Sequence, residues 1–139
     1  MKKRVLFICT NNSCRSQMAE GIVNHELGDK IEVYSAGTTP TSVNPRAIQN
    51  MAEIGIDISG HRSKVMDEFA DQHFDYVITL CDSANEQCPL FFGGVKKMHL
   101  GFDDPAAAAG SDEEIMAAFR KVRDEIKARL IEFFTNELI

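Results

Sequence analysis

The sequence predicts an α/β fold: a single domain over residues 1–139, with a parallel four-stranded sheet and helices on both faces. Three observations carry that expectation. Short apolar runs alternate with stretches of helical spacing along the chain. The first run, "RVLFIC" (4–9), is apolar throughout instead of alternating, as befits a strand covered on both sides. Helix start and stop signals fall between the runs. With 139 residues and 44% hydrophobic content, the chain has enough apolar material for one real core.

Each element follows from its own residues. After the first strand, Met18, Ala19, Ile22, Val23 and Leu27 recur at helical spacing between Ser16 and Leu27, and Gly28 stops the helix. "IEVYSAG" (31–37) reads as a second strand ending in a turn. In "NPRAIQNMAEIG" (44–55), Asn44 is an N-cap, Pro45 takes the first helical position and Gly55 terminates the helix. "FDYVITLC" (74–81) is a third strand and "VKKMHLGF" (95–102) a fourth. Between them, "DSANEQ" offers Asp82 or Ser83 as N-cap, which predicts a short helix ending near Cys88. Residues 111–138 form a long amphipathic helix opened by a Ser111–Glu114 capping box. Phe119, Val122, Ile126, Leu130 and Phe133 make the stripe with which it covers the core.

Composition removes several classes of function. A net charge of −6 excludes non-specific binding to nucleic acid, which needs a basic surface. The apolar runs are far shorter than the roughly 18 residues of a membrane span. "MKKRVLFIC" begins like a signal peptide, but its apolar stretch from Val5 to Cys9 is below the roughly 7–15 residues of a secretory segment. A cytoplasmic monomer without nucleic-acid or membrane partners is expected. In that reducing compartment, cysteines at 9, 14, 81 and 88 read as buried, metal-binding or catalytic before they read as structural disulfides.

Ligands of parallel α/β sheets bind at the carboxyl ends of the strands. Cys9 and Cys81 fall at such ends, and "GFDDP" (101–105) follows the fourth strand. In "CTNNSCRS" (9–16), the spacing Cys9-x5-Arg15 spans the passage from strand to helix. Backbone N–H groups of Thr10, Asn11, Asn12, Ser13, Cys14 and Arg15 can curl into an anion-binding nest at the positive end of that helix. Arg15 can grip a tetrahedral oxyanion through two parallel hydrogen bonds. The same positive field favours thiolate at Cys9, and Ser16 can donate a hydrogen bond to it. A core cysteine beside a surface arginine is the plainer alternative, but it would not account for the strand-to-helix position. A zinc module is another, although C-x4-C and C-x6-C only partly match the usual ligand pairs and leave Arg15 without a purpose. The histidines at 25, 61, 73 and 99 are too scattered for a metal cluster, and surface or packing roles are expected.

"CTNNSCRSQMAEG", "YSAG", "NPRAI", "GIDISGH", "VITLC", "CP" and "GFDDPA" occur in order, nearly end to end. Together they resemble the thioredoxin-coupled arsenate reductases, built on the low-molecular-weight tyrosine phosphatase (phosphotyrosine phosphatase I) fold. The resemblance implies Cys9 as nucleophile, Arg15 as oxyanion clamp, Ser16 as thiolate partner and Asp104 as the acid beside the leaving oxygen. It implies arsenate as substrate, no metal or organic cofactor, and Cys81 and Cys88 as the pair that carries the oxidation away to thioredoxin. Members of the family differ between thioredoxin and glutathione-linked reductants. Cys14 receives no catalytic role, and Asp104 taken alone is equally a turn carboxylate before Pro105.

Two departures from the family pattern matter. Asn11 stands where the family has glycine, and asparagine tolerates left-handed backbone. Several relatives bind potassium through positions matching Asn12, Ser35 and two more, which here are Arg62 and Lys64. The carboxylate is lost, so no metal site is expected, and the Lys64 ammonium is a candidate fixed cation in its place. The nearest rival is a phosphotyrosine phosphatase that hydrolyses phosphomonoesters through a Cys9 phosphoenzyme. Such enzymes place an aromatic residue after the Asp-Pro pair, where this chain has Ala106, and they have no use for Cys81 and Cys88.

Overall fold

The structure is a computed structural model and describes residues 2–69, 71–81 and 94–137. Its strands are β1 (Lys3–Ile8), β2 (Ile31–Ala36), β3 (Phe74–Thr79) and β4 (Gly94–His99). Its helices are α1 (Arg15–Leu27), α2 (Pro45–Ala52) and α3 (Asp112–Glu137). The sheet runs β2-β1-β3-β4 and every pairing is parallel, as the uninterrupted apolar first run predicts. Residues 82–93, with Cys88 and the short helix expected after Asp82, lie outside the described residues.

The middle of β1 is buried on both sides. Val5 and Phe7 join one apolar cluster, Leu6 and Ile8 the other, in the two-residue alternation of a strand. On the first face, α1 contributes Met18, Ala19, Ile22 and Val23, α2 contributes Ala47 and Met51, and α3 lies across both. Each of the methionine, isoleucine and valine side chains among these, fully buried, contributes about 1.5–3 kcal/mol. Among the described residues, the second face is covered by a 3-10 turn (Met66–Phe69) that the sequence reading missed. There Tyr34, Phe69 and Phe74 pack edge to face with centroids 5.6–5.9 Å apart. That turn is tied to the end of β2: Gly37 N donates to Lys64 O and Met66 N donates to Gly37 O, both at 2.9 Å.

The helix ends follow their local chemistry. Asn44 Oδ1 accepts from Arg46 N at 2.8 Å, and Gly55 has φ +78°, the left-handed geometry that stops a helix. The capping box forms in both directions: Glu114 N donates to Ser111 Oγ at 3.2 Å, and Ser111 N donates to Glu114 Oε1 at 3.3 Å. One stripe residue needs correction. Phe119, Val122, Ile126 and Leu130 are buried as expected, but Phe134, not Phe133, takes the fully buried place, with Phe133 partly covered beside it. A step of four from Leu130 keeps the seam in line with a period of 3.6, whereas a step of three turns toward its edge.

Among the described residues, no helix is long and apolar enough to cross a membrane.

Candidate active site

β1 delivers the chain to the carboxyl edge of the sheet, and residues 9–14 carry it over to α1. Cys9 N donates to Ala36 O at 3.2 Å, the last rung toward β2. Beyond it the loop carbonyls turn outward: Thr10 O accepts from Thr39 N, Asn11 O from Thr41 N and Ser13 O from Asn44 N, at 3.0–3.3 Å. Cys9 is 2% exposed, and its Sγ lies 2.9 Å from Ser16 Oγ. Ser16 Oγ in turn accepts from Asn12 Nδ2 at 2.7 Å, so hydroxyl and thiol share one short chain of hydrogen bonds.

The left-handed residue of the loop is Asn12, with φ 50°, and not Asn11. Asparagine suits that backbone, and here the side chain also holds it. Asn12 Oδ1 accepts from Lys64 N at 2.8 Å and from Gln17 Nε2 at 2.9 Å, while its own carbonyl accepts from Ser63 Oγ at 2.7 Å. Asn12 is thereby fully buried behind the loop.

Arg15, the first residue of α1, is 3% exposed. Its Nη1 donates to Phe102 O at 3.3 Å and to Leu80 O at 3.5 Å, carbonyls of the segments that follow β4 and β3. Its Nη2 lies 3.8 Å from Asp104 Oδ2. Asp104 Oδ1 accepts from Ala106 N at 3.0 Å and so caps a short 3-10 turn (Pro105–Ala107). The turn-carboxylate reading of Asp104 and its place beside Arg15 therefore hold together. Cys9, Asn11, Ser13, Cys14, Arg15, Asp104 and Ala106 line one small cavity of about 30 Å³. Thr10 and Asn12 are not on its wall.

Behind the loop sits a polar cluster that the motif reading did not find. Gln17, fully buried, donates to Asn12 O and Arg62 O and lies 3.0 Å through Oε1 from His61 Nδ1. Glu20 accepts from Ser35 Oγ at 2.6 Å, and the Lys64 ammonium stands 3.6 Å from its Oε1. The same ammonium donates to Arg62 O at 3.0 Å. The bonds that join residues 17–20 to Ser35 and to residues 61–64 cross 15–45 positions of the chain, so no local spacing reveals the cluster. Of the histidines, His61 packs into this cluster, while His25, His73 and His99 are exposed.

Cys14 is 3% exposed and free, and burial pushes its thiol up to about 12, so it stays protonated at neutral pH. Cys9 is free as well. Cys81, two residues past β3, is fully buried and disulfide-bonded.

The family model for low molecular weight phosphotyrosine protein phosphatase matches residues 4–138. An arsenate reductase of Bacillus subtilis (strain 168) is 50% identical over 131 residues, covering 94% of each chain. A solved structure of an arsenate reductase in the phosphate binding state superposes with a TM-score of 0.77 at 36% identity, covering 96% of this chain and 98% of that one. A thioredoxin-dependent arsenate reductase from Corynebacterium glutamicum superposes at 0.71 with 28% identity, covering 97% of this chain and 61% of the other. The chain belongs to the low molecular weight phosphotyrosine protein phosphatase family.

Proposed function

We propose that this chain reduces arsenate to arsenite through a relay of three cysteines. The observation that carries the reading is the convergence, on one small cavity, of a thiol bonded to a hydroxyl, a buried guanidinium and a carboxyl group. The outward loop carbonyls support a nest in which the N–H groups of residues 10–15 receive the oxyanion. Ser16 donates to the Cys9 thiolate, and Arg15, steadied by two carbonyls, clamps the oxyanion.

Cys9 attacks arsenic, an As–S bond forms, and an oxygen departs as water with a proton from Asp104. Cys81 thiolate then attacks Cys9 Sγ. The As–S bond breaks, its electron pair stays on arsenic, and arsenite leaves. Cys88 attacks Cys81 and frees the Cys9 thiolate, leaving a Cys81–Cys88 disulfide for thioredoxin to reduce by thiol exchange. A disulfide at Cys81 beside free Cys9 and Cys14 is the pattern expected at the end of this sequence. No step calls for a metal or organic cofactor.

Hydrolysis of phosphomonoesters at Cys9 is the second reading, favoured by the family itself. Ala106 on the cavity wall offers no aromatic face to a phenyl ring, so this activity is expected to be residual. The test is arsenate-dependent oxidation of NADPH with thioredoxin and its reductase, repeated with glutathione and glutaredoxin. Turnover in the first mixture supports the relay as drawn. Turnover only in the second replaces the reductant, and turnover in neither, with brisk hydrolysis of an aryl phosphate, replaces the function.

A further inference from the structure

Arg129 lies on α3, outside the cavity, yet its guanidinium reaches the segment that carries Asp104. Nη1 donates to Gly101 O at 3.1 Å, and the guanidinium carbon stands 4.7 Å over the centroid of the Phe102 ring. Phe102 is 3% exposed, with its ring in the larger apolar cluster. Its backbone faces the other way: Phe102 N donates to Leu80 O at 3.3 Å, and Phe102 O accepts from Arg15 Nη1 at 3.3 Å. Residue 102 is therefore one end of the mount that holds Arg15, and it lies two residues before Asp104.

Residues 100–104 have no regular structure. Two backbone bonds tie them toward β3, from Leu100 N to Thr79 O and from Phe102 N to Leu80 O. Arg129 ties them toward α3, through a carbonyl and an aromatic face at once. On the same helix, Arg120 pairs with the carboxylate of Glu53. Arg129 is instead committed to a backbone oxygen and a ring.

We infer that Arg129 is a positioning residue for oxyanion binding: by bracing Gly101 and Phe102 it fixes the carbonyl that orients Arg15. The inference rests on the reading of Arg15 as the oxyanion clamp. Lysine at 129 keeps the charge and can still donate to a carbonyl but lacks the planar face, so it restores the function in part.

The experiment compares Arg129→Ala, Arg129→Lys and Arg120→Ala with the unaltered chain. It measures binding of inorganic phosphate by calorimetry, KM and kcat with arsenate, alkylation of Cys9 without ligand, and melting temperature. Arg129→Ala is expected to weaken phosphate binding ~10-fold, the scale of one hydrogen bond plus one cation–π contact. KM for arsenate rises in step, kcat changes by less than about 2-fold, and Cys9 alkylates at the original rate, because Ser16 and the loop hold that thiol. Arg129→Lys recovers part of the affinity. Arg120→Ala lowers the melting temperature and leaves phosphate binding intact. Unchanged phosphate affinity in Arg129→Ala overturns the inference, as does a loss in both alanine variants that merely tracks their melting temperatures. An unaltered chain that neither binds phosphate nor turns over arsenate overturns the oxyanion reading itself, and that result is visible before any variant is made.

Discussion

A methyl group at Gly37 would sit 2.5 Å from Thr10 O, 2.7 Å from Cys9 O and 2.9 Å from Asn12 N. All three are backbone atoms of the loop at residues 9–14, so none can swing aside. Gly37→Ala should therefore displace the loop itself, costing about 1–3 kcal/mol of stability by overpacking. Displacement on the scale of 1 Å should lower kcat/KM for arsenate about 100-fold. Thermal melts and steady-state kinetics on the one variant check both halves. Cys9 and Cys88 should separate differently. Cys9→Ser is expected to abolish arsenate reduction and any aryl phosphate hydrolysis together, while Cys88→Ser abolishes reduction and spares hydrolysis. Loss of hydrolysis in a folded Cys88→Ser protein would show that the division of labour is wrong. Cys9, Arg15 and Ser16 could be singled out from the spacing within residues 9–16, whereas Asp104 came only with the family resemblance, since taken alone it reads equally as a turn carboxylate before Pro105. Which of two adjacent asparagines turns left-handed was not, since Asn11 and Asn12 are chemically identical and only Asn12 meets Lys64 and Gln17 in space.

Helix α2 meets α3 through a charged seam. Arg120 donates to both oxygens of Glu53, and Arg123 donates to Glu53 Oε1 at 3.0 Å and to Asn50 Oδ1 at 2.7 Å. Arg120 first, then Arg123, hold the Glu53 carboxyl at about 2, below its ordinary 4.5. A depressed carboxyl stabilises the fold above its unfolded value and loses that contribution as pH falls through the folded one. The melting temperature should thus fall between about pH 4.5 and 2 more steeply in the original protein than in Glu53→Gln. Equal slopes would place the acid sensitivity elsewhere. The cluster behind the loop at residues 9–14 makes a second prediction at this scale. With the Lys64 ammonium already beside Glu20 and Arg62 O, kcat/KM should be equal in potassium and sodium chloride at matched ionic strength. A clear preference for potassium would reveal ligands other than these. The caps of α2 and α3 could be read from Asn44, Pro45, Ser111 and Glu114, because capping is local. The 3-10 turn at 66–69 could not, because what holds it is a backbone exchange with Gly37 across the fold.

Across the molecule, α3 and the sheet share an aromatic seam. Phe134, fully buried, meets Phe7 at 6.3 Å, Tyr76 at 5.9 Å and Phe133 at 4.9 Å between centroids. Phe134→Ala should cost about 3–5 kcal/mol and lower the melting temperature by roughly 10–15 °C. Below that temperature kcat/KM should be unchanged, since the seam lies away from the cavity wall; a fall in both would tie core packing to the site. Fold class was legible from alternation and the apolar first strand, but strand order was not, because every crossover joins residues far apart in the chain. That order carries a historical consequence. β1 and β3 are neighbours in the sheet, yet Cys9 and Cys81 at their ends stand 72 positions apart (81 − 9). Separate stretches of sequence encode the two ends, so a substitution can replace one cysteine and leave the other in place. On the proposed relay, a lineage can inherit the anion loop intact and gain or lose the second thiol next door. Hydrolysis and electron transfer are then two chemistries that one scaffold can carry.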